Sequence, residues 1–175
     1  MGRRKKREVP ALPSSPVRLV DALLYAEDEI KKTVKEERFA LSLIGASNQT
    51  GGGRGRSHSD RTATAAVKLA DGLPCIVLDD GRTIKKPEKW LACFEAVRKQ
   101  AEKCNRPNWI YEAWAAKYDE KTRFIDAEIT AKIFNNIVDW IRYNVLTEAR
   151  KADLVAFEDE EVIKDIEEYE EPFFY

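Results

Sequence analysis

Histidine and cysteine are scarce in this chain of 175 residues, which holds one histidine, His58, and three cysteines, Cys75, Cys93 and Cys104. The cysteines stand 18 and 11 residues apart, without the paired spacing of a zinc site and too few for a disulfide framework, so no metal is expected. Long apolar runs are missing as well. No stretch of about 18 apolar residues occurs, so no membrane span is expected. The opening MGRRKKREVP is basic but lacks the apolar stretch of a secretory signal, which points to the cytoplasm. The glycines near position 52 are not followed by Gly-Lys-Ser/Thr and no strand precedes them, which excludes a Walker loop. No cofactor is expected.

What is present is charge. Charged residues make up 35% of the chain and apolar ones 43%, against about 25% charged in ordinary soluble domains. The length suits one domain or two small ones. The net charge of −1 hides an asymmetry: residues 158–175 hold nine acids and one base, Lys164, leaving 29 bases and 22 acids elsewhere. A body with an excess of seven positive charges suits a polyanionic partner, and an acidic tail follows it.

Residues 1–15 contain five consecutive bases, Arg3 to Arg7, and two prolines, and read as a disordered basic arm. Ser15 and Pro16 mark a helix start. Val17, Val20, Leu23, Leu24, Ile30, Val34 and Leu41 then predict one long amphipathic helix over 16–44, suited to core packing or to homodimerisation. Glu27 and Glu37 interrupt its seam. Residues 45–59, GASNQTGGGRGRSHS, read as a Gly/Ser-rich linker. A mainly helical domain is expected over 60–156, with a hairpin near 75–84 built on an Asp-Gly turn. Its helices should start at Ser59 or Asp60, at Pro87 and at Asn108, with two more stretches after Thr122. Trp109, Trp114, Trp140 and Phe134 are its expected anchors. Residues 157–175 form the acidic tail. The fold class is mainly α, a helical bundle with one small β-hairpin.

Three constellations invite a chemical reading. Ser57-His58-Ser59-Asp60 sets a hydroxyl, an imidazole and a carboxylate side by side, but triads are assembled from separated positions on a rigid scaffold. Asp79-Asp80 suits a turn better than a metal pair, because aspartate bonds its own backbone there. Cys93 falls on an apolar helix face and reads as packing. Catalysis is not expected.

Binding is the better account. Residues 108–151 have the outline of a helix-turn-helix: a helix, a short polar break and a second helical stretch. Thr130, Lys132, Asn135 and Asn136 are the polar residues around Ile129, Ile133, Phe134 and Ile137. Amides suit adenine edges, and lysine suits guanine or phosphate. Arg123, Arg54 and Arg56 are candidates to neutralise phosphates. Double-stranded DNA is the expected partner.

Ser59-Asp60-Arg61-Thr62-Ala63-Thr64-Ala65-Ala66-Val67-Lys68-Leu69 resembles the SDPTA-x-x-A-x-x-L stretch of small transcriptional regulators from phages and prophages of Gram-positive bacteria (the RinA and ArpU kind), with Arg61 where proline is usual. Residues 133–155 are similar to the long final helix of those proteins, matched at Ile137, Val138, Ile141, Ala149, Leu154 and Val155. The resemblance implies a helix-turn-helix like the fourth region of sigma factors, acting on late phage genes. RNA polymerase is a further expected partner, for the acidic tail. A phage packaging protein of the small-terminase type, oligomerising through the first helix, and a pure protein-interaction module are the alternatives.

Overall fold

The computed structural model describes residues 12–13, 15–46, 59–119 and 125–155. In chain order the elements are α1 (Pro16–Tyr25), α2 (Glu27–Ala46), α3 (Ser59–Asp71), β1 (Cys75–Val77), β2 (Thr83–Lys85), α4 (Pro87–Ala101), α5 (Pro107–Tyr118) and α6 (Ala131–Lys151). The fold is mainly helical with one antiparallel hairpin. Most of the expected basic arm, most of the linker and all of the acidic tail lie outside the described residues. No described helix is long and apolar enough to cross a membrane.

The described chain divides into two compact units, one from residues 28–88 and one from residues 13–27 with 89–155. In the first, Ile30 and Val34 of α2, Ala65 of α3, Leu73, Ile76, Leu78 and Ile84 are buried. Strand residues alternate as period 2 demands: Ile76 and Ile84 are buried while Cys75, Val77, Thr83 and Lys85 are exposed. Ile76 pairs with Ile84. The loop is a turn in which Gly81 N–H donates to Leu78 O at 2.8 Å, with Gly81 at φ 89. That is a three-residue hairpin loop closed by a left-handed glycine. Asp80 accepts from Arg82 N–H at 2.9 Å, and this bond, with the Arg82 guanidinium beside it, holds its carboxyl below the usual range.

Gly72 ends the turn after α3 with φ 88. A Cβ there would lie 2.5 Å from Glu88 Oε2. The same oxygen accepts Leu73 N–H at 2.8 Å, and Glu88 Oε1 pairs with Arg38. Arg38 also donates to Leu69 O at 2.7 Å. One carboxylate thus ties α2, the end of α3 and the approach to the hairpin.

In the second unit α6 packs against α1 and α5. Its buried residues, Ile137, Val138, Ile141, Val145, Leu146 and Ala149, recur with helical period and form one face. Phe94, Val97, Ile110, Leu23 and Val20 are likewise buried.

The structure departs from the sequence reading in four places. The single helix expected over 16–44 is two, because Ala26 leaves helical geometry at φ −94, ψ 6. No proline or glycine marks the break. Beyond it Glu27 is buried and paired with Arg98 at 2.7 Å, and Arg98 lies 4.4 Å above the Trp114 ring. Second, α5 begins at Pro107 with Arg106 as N-cap, not at Asn108, since proline's fixed φ suits the first helical position. Third, the two stretches expected after Thr122 are one helix, α6, and Ile129 is buried in the turn ahead of it. Fourth, of the expected anchors only Trp114 is buried; Trp109, Trp140 and Phe134 are half-buried, their rings shared between core and solvent.

Candidate nucleic-acid interface

The approach to α6 is a fixed turn. Asp126 N–H donates to Glu112 Oε2 at 3.2 Å, Glu128 N–H to Asp126 Oδ1 at 3.0 Å, and Ile129 N–H to Asp126 O at 2.9 Å. Thr130 then caps the helix, its Oγ1 accepting from Ile133 N–H at 3.4 Å. A hydroxyl at this position satisfies one of the helix's orphan donors.

Lys132, Asn135 and Asn136 are all exposed on the first two turns of α6, while Ile137 and Val138 are buried behind them. At 100° per residue the three polar side chains share an arc of about 100°. The structure therefore brings Thr130, Lys132, Asn135 and Asn136 together at one helix end. Arg54, Arg56 and Arg123 lie outside the described residues.

One turn further along, the same arc meets Asp139, whose carboxylate pairs with Arg142 at 3.2 Å. Arg106 stacks over Trp109 at 4.1 Å and pairs with Glu128 at 3.6 Å. With Glu112, Asp126, Glu128 and Asp139 against Arg106, Lys132 and Arg142, the described surroundings are not a basic patch. The helix end offers exposed amide, hydroxyl and ammonium groups for hydrogen bonding, without an excess of bases among the described residues around it. The α5–α6 connection covers residues 119–130, longer than the three or four residues of a helix-turn-helix. The short turn expected within 108–151 is not what joins these helices.

Two features escaped the sequence reading. Asp21 Oδ1 accepts from the Tyr118 hydroxyl at 2.8 Å and from Arg142 Nε at 2.8 Å, and the ion pair brings Arg142 Nη2 to 2.7 Å from the same oxygen. Burial and the bond to Asp21 raise the Tyr118 hydroxyl above its ordinary value. The partners lie 97 and 121 residues apart, and no spacing signal links them. The second is a groove of about 300 Å³ lined by Lys89, Ala92 and Cys93 of α4 and by Glu148, Lys151 and Ala152. Cys93, read as packing, is indeed buried. Its thiol is pushed up to about 11 by burial and by Glu148, so it is a poor nucleophile at neutral pH. Among the described residues no group of three or more His, Cys, Asp or Glu side chains is placed to hold a metal. His58 lies outside them.

No protein-family model, curated protein or solved structure matches the chain.

Proposed function

We propose that the chain is a non-enzymatic DNA-binding regulator of phage or prophage genes, working in the cytoplasm of a bacterial host and presenting the N-terminal turns of α6 to the major groove. The carrying observation is the joint exposure of Lys132, Asn135 and Asn136 beside the Thr130 cap, a set suited to base edges. The likeness of residues 59–69 and 133–155 to phage regulators supports the same reading. Arg54, Arg56 and Arg123 would supply phosphate contacts, and the acidic segment would face RNA polymerase. The test is fluorescence anisotropy on duplex DNA across a salt series, where the slope is about 0.9 per phosphate neutralised. A Lys132→Ala/Asn135→Ala double variant is expected to weaken binding by about ten-fold or more with its helical circular dichroism intact. Unchanged affinity removes α6 from the interface, and no binding at low salt removes the regulator reading.

A second reading, a packaging or assembly protein, draws on α2. Phe39, Leu43 and Ile44 are 64%, 53% and 42% exposed, and the stretch Phe39-Ala40-Leu41-Ser42-Leu43-Ile44 holds one polar residue. A helix apolar all round is normally buried, and a homodimer through the 16–44 region would bury this end. Light scattering separates the readings: a monomer or dimer fits regulation, a ring-sized assembly fits packaging. Leu43→Glu is expected to dissociate whichever assembly forms.

A further inference from the structure

The hairpin leaves one edge of its sheet open. Leu78 N–H donates to Arg82 O at 2.9 Å and Lys86 N–H to Pro74 O at 2.9 Å, with Ile76 facing Ile84 between them. The bonded pairs are therefore 74–86, 76–84 and 78–82, and the residues between them face outward. The N–H and C=O groups of Cys75 and Val77 point away from β2, and those of Thr83 and Lys85 away from β1. Among the described residues none of these four makes a bond outside the hairpin. On either side of β1 the row is closed. Leu73 N–H is taken by Glu88 Oε2 at 2.8 Å and Asp79 N–H by Glu29 Oε1 at 2.6 Å.

The two edges differ in charge. β2 ends in Lys85 and is followed by Lys86, both exposed, and lysine on an edge discourages pairing with another strand. β1 carries no charge. Cys75 is exposed and so is Val77, at 59%. An uncharged edge with an aliphatic side chain beside it is a template for strand addition.

We propose that β1 pairs antiparallel with β1 of a second copy of this chain, in the register that sets Cys75 of one copy against Val77 of the other. The register follows from which N–H groups are open. Setting Cys75 against Cys75 would call on Leu73 N–H, and Val77 against Val77 would call on Asp79 N–H, but Glu88 and Glu29 hold both. A slip of one residue would set open groups against groups already bonded to β2. Cys75 against Val77 uses the open groups alone, each opposed pair exchanging two N–H···O bonds about a two-fold axis at Ile76. Ile76 pairs with Ile84 on the buried face of its own hairpin. In the dimer it also meets Ile76 of the second copy, so the isoleucine row runs through a four-stranded sheet. No like charges face each other, because β1 has none. Three residues per strand bury far less than the about 800 Å² a side of a stable interface, so the pairing is transient and is read by trapping it. This inference stands apart from the DNA reading and uses none of the exposed α2 side chains.

The test is disulfide trapping in the full-length protein. Directly opposed residues in such a pair lie about 5.5 Å apart at Cα and diagonal ones about 7–8 Å, while disulfides close at up to about 6.8 Å. A Cys75→Ser/Val77→Cys variant, altered only at exposed positions, is mixed with the unaltered chain under mild oxidation, and the links are mapped by mass spectrometry. The link from position 75 of the unaltered chain to position 77 of the variant should be about ten-fold more abundant than 75–75 or 77–77 links, in the mixture or in either protein alone. Amide exchange in the unaltered protein gives a second reading: Cys75 and Val77 should slow as concentration rises, and Thr83 and Lys85 should not. Four results overturn the proposal. They are absence of the mixed link, like-with-like links as abundant as the mixed one, slowing at Thr83 and Lys85 instead, or Cys75 and Val77 amides equally slow at every dilution, which would put another segment of the same chain on this edge.

Discussion

The cluster around Asp21 and the last turns of α2 dispose of their surfaces in opposite ways. Asp21 accepts from the Tyr118 hydroxyl and from Arg142 Nε, and Arg142 Nη1 donates in turn to Asp139. Even the exposed Tyr25 ring is stacked edge-on against Tyr118 at 4.9 Å. On α2, by contrast, burial stops at Val34: residues 35–44 are all exposed except the half-buried Leu41. Val67 of α3 is 56% exposed too. The first region is finished within one chain. The second holds large apolar side chains in water.

Paired substitutions break or sharpen this contrast. Phe94→Ala empties a fully buried site and should cost about 3–5 kcal/mol in denaturant unfolding, whereas Phe39→Ala should move the stability of a dilute sample by less than about 0.5 kcal/mol. Equal costs would mean that Phe39 is buried in the monomer and that the contrast fails. Asp21→Ala leaves the Arg142 guanidinium and the Tyr118 hydroxyl without their shared acceptor, with an expected loss of about 2 kcal/mol. A smaller step comes from pH. Because Tyr118 titrates higher in the folded chain, its contribution is complete below its unfolded value of about 10 and is lost as pH rises through the folded one. Chemical denaturation between pH 8 and 11 should therefore show a decline that Tyr118→Phe flattens. A parallel decline in that variant would assign the effect elsewhere.

Local patterns were legible in the residues and tertiary decisions were not. Alternation in CIVL and RTI with Asp79-Asp80-Gly81 between them is enough to place the hairpin, and Trp90, Phe94 and Val97 mark the inner face of α4. The apolar steps from Ile137 to Ala149 mark the inner face of α6. The same steps predict a helix straight through Ala26, and nothing local marks the break; the buried Glu27 just beyond it meets Arg98, 71 residues away. At the candidate interface the grouping of Lys132, Asn135 and Asn136 follows from helical spacing alone. The acidic side chains around it do not, since Glu112 reaches that turn through a bond between α5 and Asp126.

Gly72 has a consequence for how freely this chain can vary. Its φ of 88 and the Glu88 oxygen where a Cβ would stand are two separate obstacles. Shortening residue 88 would clear the space and leave the backbone strain in place. A library randomised at 72 should return glycine even when 88 is randomised with it. Position 88 alone should instead yield variants that fold but hold α3 and the hairpin together less firmly.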